Sequence, residues 1–484
     1  MPSEPSRRIN WDALTEARRT FIGNPYQLTR EQLAQGAHGF DAGMASVPYA
    51  MTSLCERGLL GDARKMVLAA AHHAARRAAS NSGRNAGEAA THLREALATL
   101  EAAAERCIPL GLRVTASELR RLAWALYRFN VAEAALVGSS AAMRHVKDAL
   151  WTASFGPNLY VTLERQLAVR QHNVLLLGEP GTGKELAAKV LQAAVLTDGE
   201  AAPPSCDVNC PGIPHDLAEA ELFGAEKGAH SKADARRVGK IVSASGGTVF
   251  LDEVADLPLD LQAKLLVALS NGKVTPLGAN DPIDVDVRYV SATSRPLFAM
   301  VKEGKIRDDL FHRLGQTILD MPPLRDRPED IGEIARTLLY KLAPPEDGLE
   351  TASSQIVPVD KEFEAWLRDE AAGLPWTGNV RELQNVVRSR VLGFRPSPQE
   401  RGARGSIAPA VESGGGGVSG SAEAIPVEIV ECRASEAEVV NWYLQRVVRR
   451  VNGNLSEASR ILGVDRGTIK RRLEKLGGRG DPQE

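Results

Sequence analysis

Residues 173–192 read NVLLLGEPGTGKELAAKVLQ and divide into three parts. The apolar run Asn173–Leu177 predicts a buried strand, and the helical pattern LAAKVLQ follows the glycine-rich turn. In this order the backbone N–H groups of the turn and the helix N-terminus face a polyphosphate, and the lysine reaches its outer phosphates. We therefore predict a nucleotide site formed by Gly178, Glu179, Gly181, Thr182, Gly183, Lys184 and Glu185.

A second strand supplies acidic side chains. The usual last residue of such a loop is a serine or threonine that ligates magnesium, and here it is Glu185, so another carboxylate is expected to take part. Residues 246–253 read GGTVFLDE, an apolar strand that ends in two acids where ligands bind in open parallel sheets. Asp252 is predicted to coordinate Mg²⁺ directly or through water, and Glu253 to polarise an attacking water. The predicted cofactors are thus ATP and Mg²⁺.

The strands of this region alternate with helices, as in a parallel α/β sheet. Residues 10–135 instead carry apolar positions at three- and four-residue steps, which predicts a helical bundle with a break at 81–83. Residues 395–425 contain prolines, serines and the run Gly414–Gly417, a linker composition. The predicted strands are Asn173–Leu177, Thr248–Asp252, Val285–Ala292 and Thr317–Met321, and the bundle stripes are Leu93, Leu97, Leu100, Ala104 and Cys107, then Leu119, Leu122, Ala123 and Leu126.

The C-terminal residues predict a helix-turn-helix. A first helix rich in valine is followed by a short helix, the turn Gly463-Val-Asp465 with Asp465 as N-cap, and a basic helix. Base contacts are predicted for Arg466, Gly467, Lys470 and Arg471, and phosphate contacts for Arg472 and Lys475. The predicted partner is double-stranded DNA, and the first helix is expected to pair two subunits.

Composition agrees with a protein of several domains. The chain has 484 residues, 43% hydrophobic and 25% charged, with a formal net charge of −2. Its five cysteines are too few and too scattered for a disulfide framework, and no metal-ligand spacing surrounds Cys206 and Cys210. We find neither a signal peptide nor a run of about 18 apolar residues, so a cytoplasmic protein without a membrane partner is expected.

From about residue 137 to 392 the chain resembles the AAA+ domain of bacterial enhancer-binding proteins, the sigma-54-dependent transcription activators. Its C-terminus resembles the Fis-type domain of the same family. The matching motifs are Val137–Ser140 with Met143, Gly178–Glu185, Asn209-Cys210, Glu221–Gly224, Gly247–Glu253, Arg307–Phe311 with Arg313, Pro322–Arg325 and Trp376–Leu383.

This resemblance implies roles for further residues. Asn209 would hold Glu253 until the site is ready, Thr293-Ser294 would be sensor I, and Arg381 would be sensor II of the helical lid. Arg307 and Arg313 would be arginine fingers, which neutralise charge on the γ-phosphate of a neighbouring subunit. Fingers supplied in trans imply a homo-oligomer, from a dimer to a hexameric ring. Magnesium, ATP hydrolysis and sigma-54 RNA polymerase as the partner follow from the same resemblance.

The resemblance also implies a multidomain fold. An all-α N-terminal domain precedes an α/β AAA+ P-loop ATPase core with a helical lid, and an all-α helix-turn-helix domain ends the chain. The predicted boundaries are 1–135 for the helical, regulatory domain, 136–325 for the ATPase core, 326–394 for the lid, 395–433 for the linker and 434–484 for the DNA-binding domain.

The loop that meets the polymerase departs from the family pattern. The family reads Gly-Ala-Phe-Thr-Gly-Ala, whereas this chain has Gly228, Ala229, His230, Ser231 and Lys232 followed by Ala233. A polar ring in place of an apolar anchor weakens a hydrophobic contact by roughly 1–2 kcal/mol or more. Two alternatives to sigma-54 remodelling thus stay open: a repressor or regulator of another partner, and an ATP-gated DNA-binding switch with little turnover.

Overall fold

The computed structural model describes two units. The first comprises the described residues up to 391 and the second a few residues near the C-terminus. Within the described part of the chain, no helix is long and apolar enough to cross a membrane. The described ranges are 9–83, 85–164, 172–197, 199–227, 236–342, 363, 365–367, 371–391, 444, 447–448, 455, 466–467 and 470–471.

The N-terminal region is helical, as predicted. Polar side chains cap its helices: Thr29 and Thr115 form capping boxes with Gln32 and Glu118, and Asn85 accepts from the amide of Glu88. The helices are α1 Trp11–Ile22, α2 Arg30–Gly43, α3 Val47–Glu56, α4 Leu60–Asn81, α5 Ala86–Cys107 and α6 Ala116–Glu133.

The apolar stripes predicted from spacing form the core of this bundle. Each residue of the two stripes, from Leu93 to Cys107 and from Leu119 to Leu126, is at most 2% exposed. The break predicted at 81–83 is confirmed, because α4 ends at Asn81 and α5 begins at Ala86. Helix spacing alone thus identified which face of each helix is buried.

The α/β core contains a five-stranded parallel sheet. Its strand order is β2-β5-β8-β1-β9, so β8 separates the strand of the phosphate loop from the strand that ends in acids. The strands are β1 Val174–Leu177, β2 Ser205–Asn209, β5 Thr248–Asp252, β8 Arg288–Thr293 and β9 Thr317–Asp320; two short antiparallel pairs join β3 Gly224–Ala225 with β4 Arg237–Val238 and β6 Lys273–Val274 with β7 Ile283–Asp284.

The four predicted strands lie in this sheet; Thr248–Asp252 has the predicted bounds, and the other three differ by one to three residues at one or both ends. The strand β2 was not predicted. Its sequence, SCDVN, is largely exposed apart from Val208, so it lacks the apolar run that marks the interior strands.

Helices cover the sheet and form the lid. The helices are α7 Ala141–Phe155, α8 Leu159–Glu164, α9 Lys184–Ala193, α10 His215–Phe223, α11 Lys240–Ser243, α12 Leu259–Asn271, α13 Leu297–Lys302 and α14 Asp308–Leu314, then α15 Ile331–Leu342 and α16 Asn379–Val391 in the lid. The lid has its own core, in which Trp366 and Trp376 pack edge to face.

One hydrophobic core joins the N-terminal bundle to the sheet. Phe129 on α6 packs against Trp151 and Phe155 on α7, with ring centroids 5.5 and 5.3 Å apart. The same core continues through Val174 on β1 and Leu191 on α9. The bundle and the α/β core therefore share buried surface across residue 135; the domain boundaries placed by sequence stay predictions.

Candidate nucleotide-binding site

A cavity of about 300 Å³ lies between the phosphate loop and the lid. Four parts of the chain line it: the residues after α6, the phosphate loop, the acids after β5, and the lid helices. Its lining includes Ala135, Leu136, Val137, Gly181, Thr182, Gly183, Lys184, Glu185, Asp252, Glu253, Arg327 and Arg381. The structure thus brings together most residues that the sequence assigned to the nucleotide.

The phosphate loop requires glycine for two reasons. Gly181 and Gly183 have φ values of 78° and 107°, a left-handed region that L side chains rarely adopt. A Cβ on Gly181 would also lie 2.5 Å from the carbonyl oxygen of Gly378 in the lid. The lid backbone therefore approaches this loop as closely as a glycine permits.

Lys184 is the first residue of α9 and is largely buried, at 7% exposure. Its ammonium donates to the carbonyl oxygens of Gly178 at 2.8 Å and Glu179 at 3.1 Å. Burial lowers the pKa of Lys184, and the nearby carboxylates of Glu253 and Asp252 act in the opposite direction. The lysine is therefore held at the loop, where it faces both acids.

Asp252 ends β5 beside Glu253. Burial raises the pKa of Asp252, and the charge of Glu253 adds to that rise while Lys184 opposes it. Two carboxylates in one half-buried place favour a bound cation, which would relieve their repulsion. The oxygen donors present therefore fit Mg²⁺.

The carboxylate of Glu253 is held by the end of β8. The hydroxyl of Thr293 donates to Glu253 Oε2 at 3.2 Å, and the amide of Ser294 donates to the same oxygen at 2.9 Å. Glu253 itself has φ 50°, an uncommon conformation for a residue other than glycine. The strand order explains the contact, since β8 lies next to β5 in the sheet.

Asn209 was assigned by resemblance to hold Glu253. It is aligned with Asp252 across β2 and β5, and its side chain is exposed. Among the described residues, no hydrogen bond joins Asn209 to Glu253. The role of Asn209 stays a prediction, and sequence reasoning missed that Thr293 and Ser294 bind this carboxylate.

Three successive carbonyl groups of the phosphate loop accept hydrogen bonds from the region of the lid. Asn379 Nδ2 donates to Pro180 O at 3.1 Å, Val380 N to Gly181 O at 3.1 Å, and Arg327 Nη2 to Thr182 O at 3.0 Å. Arg327 is 2% exposed and Asn379 is fully buried. These contacts fix the loop between β1 and the lid. Sequence reasoning missed Arg327, for which the only signal is its place shortly after Pro322–Arg325.

The side chain of Glu179 faces the lid. Arg325 donates to both of its oxygens, at 2.8 and 2.6 Å, and Asn379 Nδ2 donates to Oε2 at 3.0 Å. The hydrogen bonds from Arg325 and then Asn379 lower the pKa of Glu179 to about 2. The carboxylate of Glu179 therefore joins the phosphate loop to the lid, and the predicted role of Glu179 in nucleotide binding stays a prediction.

A buried aspartate fixes the segment between α6 and α7. Asp330 is fully buried and accepts from the amides of Ser139 and Ser140, both at 2.8 Å, and from the Ser140 hydroxyl at 2.7 Å. Gly138 has φ 140°, and a Cβ there would lie 2.7 Å from Asp330 Oδ2. The wall of the cavity formed by Leu136 and Val137 is therefore tied to the start of the lid.

The predicted arginine fingers lie elsewhere. Arg307 precedes α14 and pairs with Asp309 through two bonds of 3.0 and 2.8 Å, while Arg313 is exposed on the same helix. Neither belongs to the described lining of the cavity, whereas Arg381 on α16 does. Glu185 lines the cavity and pairs with Lys189 at 2.6 Å.

The predicted DNA-binding helix is described in part. Arg466, Gly467, Lys470 and Arg471 lie in helical conformation and are exposed, and Leu444 and Val447 are buried within the same unit. Arg472, Lys475, the linker and the loop residues Gly228, Ala229, His230, Ser231 and Lys232 lie outside the described residues.

Comparisons with known proteins agree with this site. The family described as "Sigma-54 interaction domain" matches residues 157–320, and the family "Bacterial regulatory protein, Fis family" matches residues 443–476. The fold, the phosphate loop and these matches define an AAA+ P-loop protein that carries a DNA-binding helix-turn-helix.

Individual known proteins are also similar to this chain. The chain is similar to the DNA-binding transcriptional regulator NtrC of Rhizobium meliloti (strain 1021), with 34% identity over 71% of this chain and 69% of that protein. It is 35% identical to the regulatory protein AtoC of Escherichia coli (strain K12), over 64% of each. A crystal structure of NtrX from Brucella abortus in complex with ADP aligns with 78% of this chain and 80% of NtrX at 26% identity and a TM-score of 0.43.

The chain belongs to the family of sigma-54-dependent enhancer-binding transcription regulators. It is a DNA-binding regulator of sigma-54-dependent transcription, with an ATP-binding domain of an ATPase family. The predicted family and the predicted multidomain fold class are confirmed by these matches and by the helices and the parallel sheet of the structure.

Proposed function

We propose that the chain hydrolyses ATP as a ring and uses that energy to remodel sigma-54 RNA polymerase. One observation carries the proposal: Lys184, Asp252 and Glu253 line a single cavity, while Arg307 and Arg313 lie outside its described lining. A site that holds the phosphate-binding lysine and the acids but neither Arg307 nor Arg313 is suited to completion by a neighbouring subunit.

Each residue has a distinct part in hydrolysis. Lys184 and the amides of the loop bind the outer phosphates, and Arg381 of the lid contacts the nucleotide from the opposite side. Glu253 accepts a hydrogen bond from the attacking water and orients it towards the γ-phosphate. Thr293 and Ser294 fix the carboxylate through the bonds described above, so that it points in one direction.

Magnesium would be held by Asp252, directly or through water, with the phosphate oxygens of ATP completing its ligands. When bound, the ion neutralises charge on the phosphates. The two neighbouring carboxylates of Asp252 and Glu253, which line the cavity together, support a cation at this position.

The proposal of a ring rests on two exposed arginines, Arg307 and Arg313. Arg307 immediately precedes the surface helix α14, and Asp309 orients its guanidinium fork. Such a fork matches phosphate oxygens and stabilises charge that develops during transfer. We propose that Arg307 and Arg313 act at the site of the adjacent subunit, in a homo-oligomer that ranges from a dimer to a hexamer.

The partners follow from the two family matches. Residues 228–232 fall inside the matched range 157–320, which supports contact of this loop with sigma-54 despite His230 and Lys232. The exposed basic residues of the C-terminal helix, with Arg472 and Lys475, support binding to an upstream operator. The proposed domain order is the one predicted from sequence, from the helical region to the helix-turn-helix.

Mixing of two inactive variants tests the ring. Lys184→Ala removes nucleotide binding but keeps the arginines, and Arg307→Ala keeps the nucleotide site but removes a finger. Each alone is expected to lose ATP turnover, whereas a mixture is expected to regain part of it, because an intact finger then meets an intact site. Full turnover by Arg307→Ala alone, or no recovery in mixed rings of confirmed stoichiometry, would contradict action in trans.

Capture of sigma-54 tests the partner. The full chain is loaded with ADP and a metal-fluoride analogue of the transferred phosphate, and is mixed with purified sigma-54. A complex that forms only with the analogue is expected. Absence of a complex from a chain that hydrolyses ATP and forms rings would favour the repressor alternative, and absence of turnover would favour the ATP-gated switch.

A further inference from the structure

A single arginine of the helical region holds the chain that follows the phosphate-loop helix. Arg128 lies on α6, and its guanidinium donates five hydrogen bonds, one to the last residue of α9 and four to the segment between α9 and β2. The acceptors are Val195 O at 2.8 Å, Ala193 O at 3.1 Å, Thr197 Oγ1 at 3.2 Å, and Gly199 O and Ala201 O at 3.3 Å each. The carbonyl oxygens are thus gathered around one cation.

Both ends of that segment lead to the nucleotide site. Ala193 is the last residue of α9, which begins with Lys184. On the other side, β2 ends at Asn209, whose Cα is aligned with that of Asp252. A displacement of Arg128 therefore acts on Lys184 through the single helix α9. It acts on the strand that ends in Asp252 through the single neighbouring strand β2.

The C-terminal end of α6 reaches the same cavity directly. The helix ends at Glu133, and Ala135, Leu136 and Val137 line the cavity. Leu136 is 3% exposed, and its amide donates to Glu133 O at 2.8 Å. Hence α6 is linked to the nucleotide site in two ways: Arg128 binds the segment that follows α9, and the residues that follow α6 line the cavity.

Aromatic contacts connect α6 with α4. Phe129 packs against Trp151 and Phe155, and Trp151 also packs against His72 on α4 at a centroid distance of 4.9 Å. Close packing of this kind transmits displacement because the interior has few voids to absorb it. A change anywhere in α4 is thus coupled to α6.

We infer that α6 is the element through which the helical N-terminal region controls the nucleotide site, and that Arg128 is its positioning residue. Arg128 touches neither nucleotide nor acids; it sets the separation of α9 and β2. The inference rests on the proposed function, since it concerns regulation of the same ATP site.

Arg128→Ala, Arg128→Lys and the control Arg77→Ala test this role. Arg77 on α4 pairs with Asp41 on α2 at 2.8 Å, so its replacement breaks a surface ion pair of the same bundle and removes none of the hydrogen bonds of Arg128. We expect Arg128→Ala to raise the KM for ATP and the Kd for fluorescent mant-ADP about fivefold to tenfold, with kcat altered less than about twofold. Arg128→Lys keeps the charge but only part of the hydrogen-bonding fork. Its KM and Kd are therefore expected to lie between those of the wild type and those of Arg128→Ala.

Hydrogen exchange of the full chain separates positioning from stability. Residues 193–209 are expected to exchange faster in Arg128→Ala while α1–α4 stay as protected as in the wild type. An unchanged KM and mant-ADP affinity in both Arg128 variants, or a loss of protection spread over the whole bundle, would overturn the inference. A wild type that binds no mant-ADP would instead contradict the proposed function.

Discussion

Thr293 donates its hydroxyl to the carboxylate of Glu253 at 3.2 Å, from the end of the strand adjacent to β5. The amide of Ser294 donates to the same oxygen, so one strand end fixes the acid through a side chain and through the backbone. Thr293 is fully buried, which shields the bond from water. The end of β8 therefore fixes the position of Glu253, the acid that we propose to polarise the attacking water.

Replacement of Thr293 by valine is expected to lower kcat by roughly tenfold to a hundredfold, with mant-ADP affinity within about twofold of the wild type. Valine keeps the shape of threonine but cannot donate to Glu253. Steady-state ATPase assays and fluorescence titration measure both quantities. Thr293→Ser is the matched control and should retain most of the turnover. Equal kcat for valine and wild type would exclude a role for this bond in catalysis.

The contact of Glu179 with Arg325 predicts a lid attachment that does not depend on pH in the ordinary range. A carboxylate with a lowered pKa stabilises the fold above its ordinary pKa, and this stabilisation is lost as pH falls towards about 2. Glu179→Gln is therefore expected to weaken ATP binding by about threefold to tenfold, and by the same factor at pH 6 and pH 8. Titration calorimetry measures the Kd for ATP of both proteins. Equal affinities of the variant and the wild type at pH 6 would argue against the ion pair of Glu179 with Arg325.

His72 predicts acid sensitivity of the helical region. Burial is the main reason that the pKa of His72 is lowered to about 3, and the charge of Arg76 and His73 adds to this, while a bond with Phe21 O opposes it. The unfolded chain takes up a proton near its ordinary pKa of 6.5, and the folded chain does not. Stability should therefore fall as pH drops from about 6.5 towards 3, by about 1.4 kcal/mol per pH unit from this group.

Urea unfolding at pH 7.5 and 5.5 measures that dependence. His73, whose pKa burial also lowers, adds to it in the same direction. His72→Gln should be less stable at both pH values, with a smaller difference between them, and the exposed His38→Gln should behave as the wild type. A pH dependence of full size in His72→Gln would show that another group is responsible.

Salt dependence separates the two sets of basic residues in the C-terminal helix. Arg466→Ala is expected to cost about 1–3 kcal/mol on a specific operator and less on unrelated DNA, because it is predicted to contact bases. Lys475→Ala should weaken both DNAs alike and reduce the slope of log K against log salt by about one. Fluorescence anisotropy with operator and scrambled duplexes supplies the comparison. The reverse pattern would exchange the two assignments.

The sequence alone identified the phosphate loop, the acidic strand, the helical bundle and the helix-turn-helix. These features are local: Gly181 and Gly183 are required by positive φ, Lys184 follows them at once, and Leu93 or Leu122 repeat with the period of a helix. The resemblance to the family rested on motifs of the same kind. Local chemistry and spacing are sufficient where neighbouring residues along the chain form the feature.

Tertiary structure decided which distant residues complete the site. Thr293 reaches Glu253 only because β8 lies between β1 and β5, an order that no spacing in the sequence reveals. Arg327 and Asn379 reach the phosphate loop from more than a hundred residues away, and Arg128 reaches the segment after α9 from another part of the fold. Such contacts depend on how helices and strands pack, because hydrogen bonds are satisfied by proximity in space and not by proximity in the chain.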